Sequence, residues 1–168
     1  MNVATTEAEE RRYAELQHLA LDFARQGETA TLAEMIDHGL PANLTDHKGN
    51  TLLMLASYHG NSETTQMLIA RGAEVDRRND RGQTPLGGAA FKGLGEIVDL
   101  LLQGGADIEA DNGAGMTPIM FAALFGRTAV VEQLKARGAS LQHRNRMGVS
   151  ANLLVKMSQW LRSIFRRA

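Results

Sequence analysis

The chain has 168 residues, 43% hydrophobic and 22% charged, with a net charge of −1. That is enough apolar material for a buried core and too much for a disordered chain, and it fits one domain or one array of repeats. Cysteine is absent, which excludes disulfides and thiolate metal sites. The first ten residues lack the basic-then-apolar order of a secretory leader, and no apolar run nears the ~20 residues that span a bilayer, so a cytoplasmic protein is expected.

In chain order, the first predicted helix opens at Thr6, where Thr6-x-x-Glu9 reads as a capping box, and it carries Leu16, Leu19 and Phe23. Gly27 follows and starts a ladder. Gly27, Gly60, Gly93 and Gly126 stand 33 residues apart; so do Gly39, Gly72, Gly105 and Gly138, and Gly49, Gly82, Gly115 and Gly148. Thr51, Thr84 and Thr117 keep the same interval, and Ser150 continues it. One period shared by several ladders means one supersecondary unit repeated, and 33 residues is characteristic of stacked helix pairs. The expected architecture is all-α: a solenoid of about five helix-turn-helix units joined by extended, hairpin-like turns. The units divide as an N-terminal cap over 1–45, full repeats over 46–78, 79–111 and 112–144, and a C-terminal cap over 145–168.

Within 46–78, Thr51-Leu52-Leu53-Met54-Leu55-Ala56 and Gly60 predict a short helix, and Met67-Leu68-Ile69 with Gly72-Ala73 a second. Thr64-Thr65 stand where the neighbouring units carry branched apolar pairs. The next unit is the most regular. Gly82 suits a tight turn, Thr84 an N-cap, and Pro85 the first helical position. Leu86, Ala89 and Ala90 form the inner stripe, and Ile97, Val98, Leu101 and Leu102 that of the second helix. Gly87-Gly88 should cost this helix about 1 kcal/mol per glycine, so the unit is expected to be soft or to admit a partner's backbone. In 112–144, Thr117-Pro118-Ile119-Met120-Phe121-Ala122-Ala123 and Val130-Val131 repeat the pattern. The tail from Lys156 to Arg167 is basic and amphipathic: a helix capping the fourth unit, or an anchor for a membrane or an acidic partner.

The motifs Gly-x-Thr-Pro-Leu, Ala-Ala-x-x-Gly and Leu-Leu-x-x-Gly-Ala-Asp, best carried over about 46–144, resemble the ankyrin repeat family. That resemblance implies a module that binds another protein on a concave face. The family usually places His after Thr-Pro-Leu; this chain has Met54, Gly87 and Met120 there. It also implies that contacts come from the turn tips and from the two residues before the Gly that ends each first helix. On those positions the candidates are Tyr58, His59, Arg81, Phe91, Lys92, Met116, Leu124, Phe125 and Arg146. Aromatics and Met at positions that should face solvent provide large contact area at low entropic cost; the alternative is that some fold back onto neighbouring helices. Arg81, Lys92 and Arg146 suit an acidic partner, or are plain solvated charge.

Nothing in the sequence points to catalysis, a cofactor or a metal. The five histidines have no metal-ligand spacing, and Asp111-Asn112-Gly113-Ala114-Gly115 lacks the Gly-Lys-Ser/Thr ending of a phosphate loop. Residues 133–168 hold eight basic and no acidic side chains, leaving residues 1–132 with a net −9. The remaining acidity and the lack of a groove-reading motif argue against nucleic acid, which stays, with a membrane surface, as the alternative for the basic tail. A monomer is expected.

Overall fold

The computed structural model describes residues 6–165. Among the described residues nine helices follow one another, the first eight in pairs: α1 (Glu7–Gln26) with α2 (Thr29–Asp37), α3 (Leu52–His59) with α4 (Ser62–Ala70), α5 (Pro85–Lys92) with α6 (Gly95–Gln103), α7 (Pro118–Leu124) with α8 (Thr128–Ala136), and then α9 (Ala151–Phe165). Two rows result. The first helices stack α1 on α3, α3 on α5, α5 on α7 and α7 on α9; the second stack α2 on α4, α4 on α6 and α6 on α8. The fold is therefore the helical-repeat solenoid expected, with a single continuous core through Leu32, Leu53, Leu68, Leu86, Val98, Leu101, Ile119 and Leu134. Among the described residues there is no strand; the turns form isolated bridges at Thr45–Thr51 and Arg144–Ser150.

Local chemistry sets the ends of the helices. Thr6 and Glu9 make the reciprocal capping box that opens α1. Thr51 accepts from the Met54 N–H and Thr84 from the Gly87 N–H, each satisfying a free amide of its helix. At the other end, Gly60 and Gly93 take left-handed conformations at φ 81° and 82°, which an L side chain adopts only at a cost.

Three units also reach back to the end of their predecessor's first helix. Asn61 Nδ2 donates to the Ala24 and Arg25 carbonyls at 3.0 Å, Arg127 Nε to the Phe91 carbonyl at 3.0 Å, and the Arg162 guanidinium to the Gly126 carbonyl and, at 2.9 Å, to Thr128 Oγ1. These bonds satisfy carbonyls that a short helix leaves unpaired and fix the spacing between units. Thr64 and Thr65 are buried; Thr64 Oγ1 meets Thr29 Oγ1 at 2.7 Å, whereas Thr65 Oγ1 has no partner.

The turns depart from strict repetition once. Asp46, Asn79 and Asn145 each fold their own turn, the side-chain oxygen accepting two backbone N–H groups. Asn112 occupies the same register but Asp111 takes over that role, accepting from Gly113 and Gly115. The tip then runs through three left-handed residues, Gly113, Ala114 and Gly115. Freed from its own turn, the Asn112 amide crosses to the preceding unit, where Oδ1 accepts from the Thr84 N–H at 2.7 Å and the Thr84 hydroxyl at 2.9 Å, while Nδ2 donates to the Ala110 carbonyl at 2.8 Å. It fills the space that the missing side chain of Gly87 leaves: a Cβ there would lie 2.0 Å from Asn112 Oδ1. Gly87 was expected to mark a soft unit or a partner's approach. It is instead the socket for the next unit's side chain, which ties the two units together.

Candidate functional site

The turns and the C-terminal ends of α3, α5 and α7 enclose a groove of about 620 Å³. Its floor is an aromatic row. The Tyr58 and Phe91 rings stack at 6.4 Å with planes 12° apart, and Phe125 meets Phe91 edge-on at 4.3 Å. Tyr58 is 38% exposed, Phe125 45%, and Phe91 is half-buried between them. These rings come together because the 33-residue period puts Tyr58 and Phe91 at one position of successive helices, with Phe125 one residue past the next. Gly88 lies beside the row, where a Cβ would sit 3.4 Å from Tyr58 Cδ2. Aromatic pairs in these geometries are favourable, so the row is rigid without being covered.

Charge lies along one edge. Lys92 Nζ sits 5.1 Å over the Tyr58 ring, a cation–π contact that holds the ammonium at the groove's rim. His59 turns its ring edge toward Tyr58 and pairs its Nδ1 with the Leu55 carbonyl at 2.9 Å. Arg81 and Lys48 line the groove from the turn tips, and among the described residues neither they nor Lys92 makes an ion pair. The far end is held in place. Arg25 bridges Asp22 at 2.7 Å and Asp46 at 3.3 Å. Burial pushes the Asp46 carboxyl up, but hydrogen bonds from Asn50 and the Lys48 N–H, with the Arg25 charge, outweigh it and hold the group below the usual carboxylate range.

Of the candidates read from the sequence, Tyr58, His59, Arg81, Phe91 and Phe125 line this groove, with Lys92 at its edge. The other three lie elsewhere. Met116 is half-buried against the core, its sulfur accepting from Asn145 Nδ2 at 3.3 Å. Leu124 is exposed but faces a smaller hollow, shared with Phe125, Leu154, Met157 and Leu161 of the capping helix. Arg146 is exposed and uses its N–H to reach the Ala114 carbonyl at 2.9 Å, tying the last two turns. Sequence reasoning did not single out Arg25, Asn112 or Phe121, which also line the groove. Arg25 carried a signal, standing 33 residues before Tyr58 on the same ladder. Asn112 carried only an indirect one, the unusual Gly87 across from it.

The arrangement offers flat apolar area, a fringe of free cations and a hydrogen-bonded wall, which suit recognition. Among the described residues no three His, Asp or Glu side chains gather as metal ligands, and no helix is long and apolar enough to cross a membrane. Arg166 and Arg167, part of the basic tail, lie outside the described residues.

Comparison with known proteins agrees with the architecture. A family model described as ankyrin repeats (3 copies) matches residues 18–112 and 53–145. An ankyrin repeat protein of Pseudomonas aeruginosa is 49% identical over 53 residues, which are 32% of this chain and 31% of that relative. The match thus spans about a third of the relative's length.

Proposed function

Since the chain belongs to the ankyrin repeat family, whose repeats generally mediate protein–protein interaction, we propose that it is a non-enzymatic module that holds another protein in its concave groove. The observation that carries this reading is the aromatic row: three rings in succession, each touching the next, along the groove, with two of them more than a third exposed. A partner segment lays an apolar side chain on Tyr58, Phe91 and Phe125, and its acidic groups meet Lys48, Arg81 and Lys92. Aromatic anchors at the centre of an interface commonly contribute 2 kcal/mol or more when truncated, so loss of one weakens binding by about 30-fold.

The experiment is to select binders from a displayed peptide library on the wild-type protein and titrate the selected peptides against Phe91→Ala and Phe125→Ala. Both variants should lose about 30-fold or more in affinity while keeping the wild-type circular dichroism spectrum. A substitution on the opposite side, Lys135→Ala, should change nothing. Peptides that bind the groove variants as tightly as wild type would remove the proposal.

A further inference from the structure

The first-helix row has two ends. Among the described residues, α3, α5 and α7 each have a helix of the row on both sides, whereas within the row α1 packs on α3 and α9 on α7, each along one side. On α9, Ala151 and Leu154 are buried, but Leu153, Met157, Trp160, Leu161 and Ile164 are between 44 and 63% exposed. Met157 and Leu161 border the hollow shared with Leu124 and Phe125, while Leu153, Trp160 and Ile164, at i, i+7 and i+11, form a free stripe along the helix. Single exposed apolar residues need no explanation; three on one free stripe of a 15-residue helix do. α1 shows the same thing: Tyr13, Leu16 and Leu19 are 48, 41 and 47% exposed, three residues apart.

The two ends are opposite in charge. α1 carries Glu7, Glu9, Glu10, Glu15 and Asp22 against Arg11, Arg12 and Arg25, whereas α9 carries Lys156 and Arg162 and no acidic residue.

We infer that copies of this chain associate head to tail, with α1 of one copy seated on the free stripe of α9 of the next, so that the first-helix row continues across the junction. A second copy fits because each end supplies what the other lacks. Apolar stripe meets apolar stripe, and a net acidic helix meets a basic one. Pairing like ends would set Lys156, or the glutamates of α1, against copies of themselves. Each copy uses two different surfaces, so the association is open-ended. The monomer expected from the sequence is then the dilute limit.

Sedimentation velocity tests this with the full chain. The mean mass should climb above 18.3 kDa as concentration rises and fall back as salt is added. Leu16→Glu and Trp160→Glu each block one end and should stay monomeric alone. Mixed, they should form one closed dimer of twice 18.3 kDa, because one variant keeps an intact α9 and the other an intact α1. Leu19→Glu and Leu153→Glu supply a second pair if either of the first loses its helical signal. A wild-type mass fixed at 18.3 kDa at every concentration would overturn the inference. So would self-association that survives Leu16→Glu, which would mean that α9 pairs with itself. So too would a wild-type monomer that sediments with phosphatidylglycerol vesicles and loses this with Trp160→Glu, which would give the stripe to a lipid surface.

Discussion

Two adjacent glycines should respond in opposite directions to the same change. Helix propensity alone says that Gly87→Ala and Gly88→Ala each stabilise the protein by about 1 kcal/mol, since alanine loses less backbone entropy. For Gly88 nothing opposes this, because the new methyl would sit 3.4 Å from Tyr58 Cδ2, an ordinary contact. For Gly87 the methyl would lie 2.0 Å from Asn112 Oδ1 and 2.5 Å from Cγ, so the Asn112 side chain must leave. Leaving breaks two bonds to Thr84 and one to Ala110, all buried. At roughly 1 kcal/mol per bond, plus the desolvation of any group left unpaired, the loss is about 3 kcal/mol. Against the propensity gain, Gly87→Ala should destabilise by about 2 kcal/mol. Urea unfolding followed by circular dichroism measures both. Replacing the amide as well, in Gly87→Ala with Asn112→Ala, should cost less than the sum of the single changes, because the clash has gone. If Gly87→Ala stabilises the protein as Gly88→Ala does, Asn112 does not occupy the socket and the inter-unit tie is refuted.

Thr65→Val should stabilise by about 1 kcal/mol in the same assay, because it removes a buried hydroxyl that has no partner and keeps the shape; a loss would mean the hydroxyl is satisfied. Arg162→Ala should release α9 from the Gly126 carbonyl and Thr128, seen as faster hydrogen exchange confined to α9 and a loss of about 1 kcal/mol. Exchange unchanged in α9 would show that the apolar contacts suffice. Asp46 is held below its usual range in the folded protein, so its charge contributes stability above the unfolded value of about 3.9, and that contribution disappears as pH falls through the lower folded value. Asp46→Asn should therefore be less stable than wild type at neutral pH, with the gap closing as pH falls through that lowered value, as urea midpoints would show. A gap constant with pH would contradict this sign.

The repeat was legible because glycine was placed by geometry. The three glycine ladders recur at turn and cap positions where the backbone is left-handed, and few other residues tolerate that conformation. The capping box at Thr6 and the threonine caps at Thr51 and Thr84 were legible for the same kind of local reason. The Asn112 crossing was not. Asn79 and Asn145 share its register and fold their own turns, so only the tertiary vacancy at Gly87 decides that Asn112 behaves differently. Leu124 and Met116 fall outside the groove for a related reason. Position within a unit tells which side of a helix a residue is on, but not what a neighbouring unit does with that side. In α9 the apolar residues were readable as one face, yet the structure buries Ala151 and Leu154 and leaves Leu153, Met157, Trp160, Leu161 and Ile164 exposed, a division that only the packing of α9 on α7 decides.

The most direct test of the account is where a groove-selected peptide perturbs the amide spectrum of the labelled protein. The account predicts that shifts cluster at Tyr58, His59, Gly88, Phe91, Lys92 and Phe125, around the aromatic row. Shifts centred instead on α4, α6 and α8, with those residues unmoved, would contradict it.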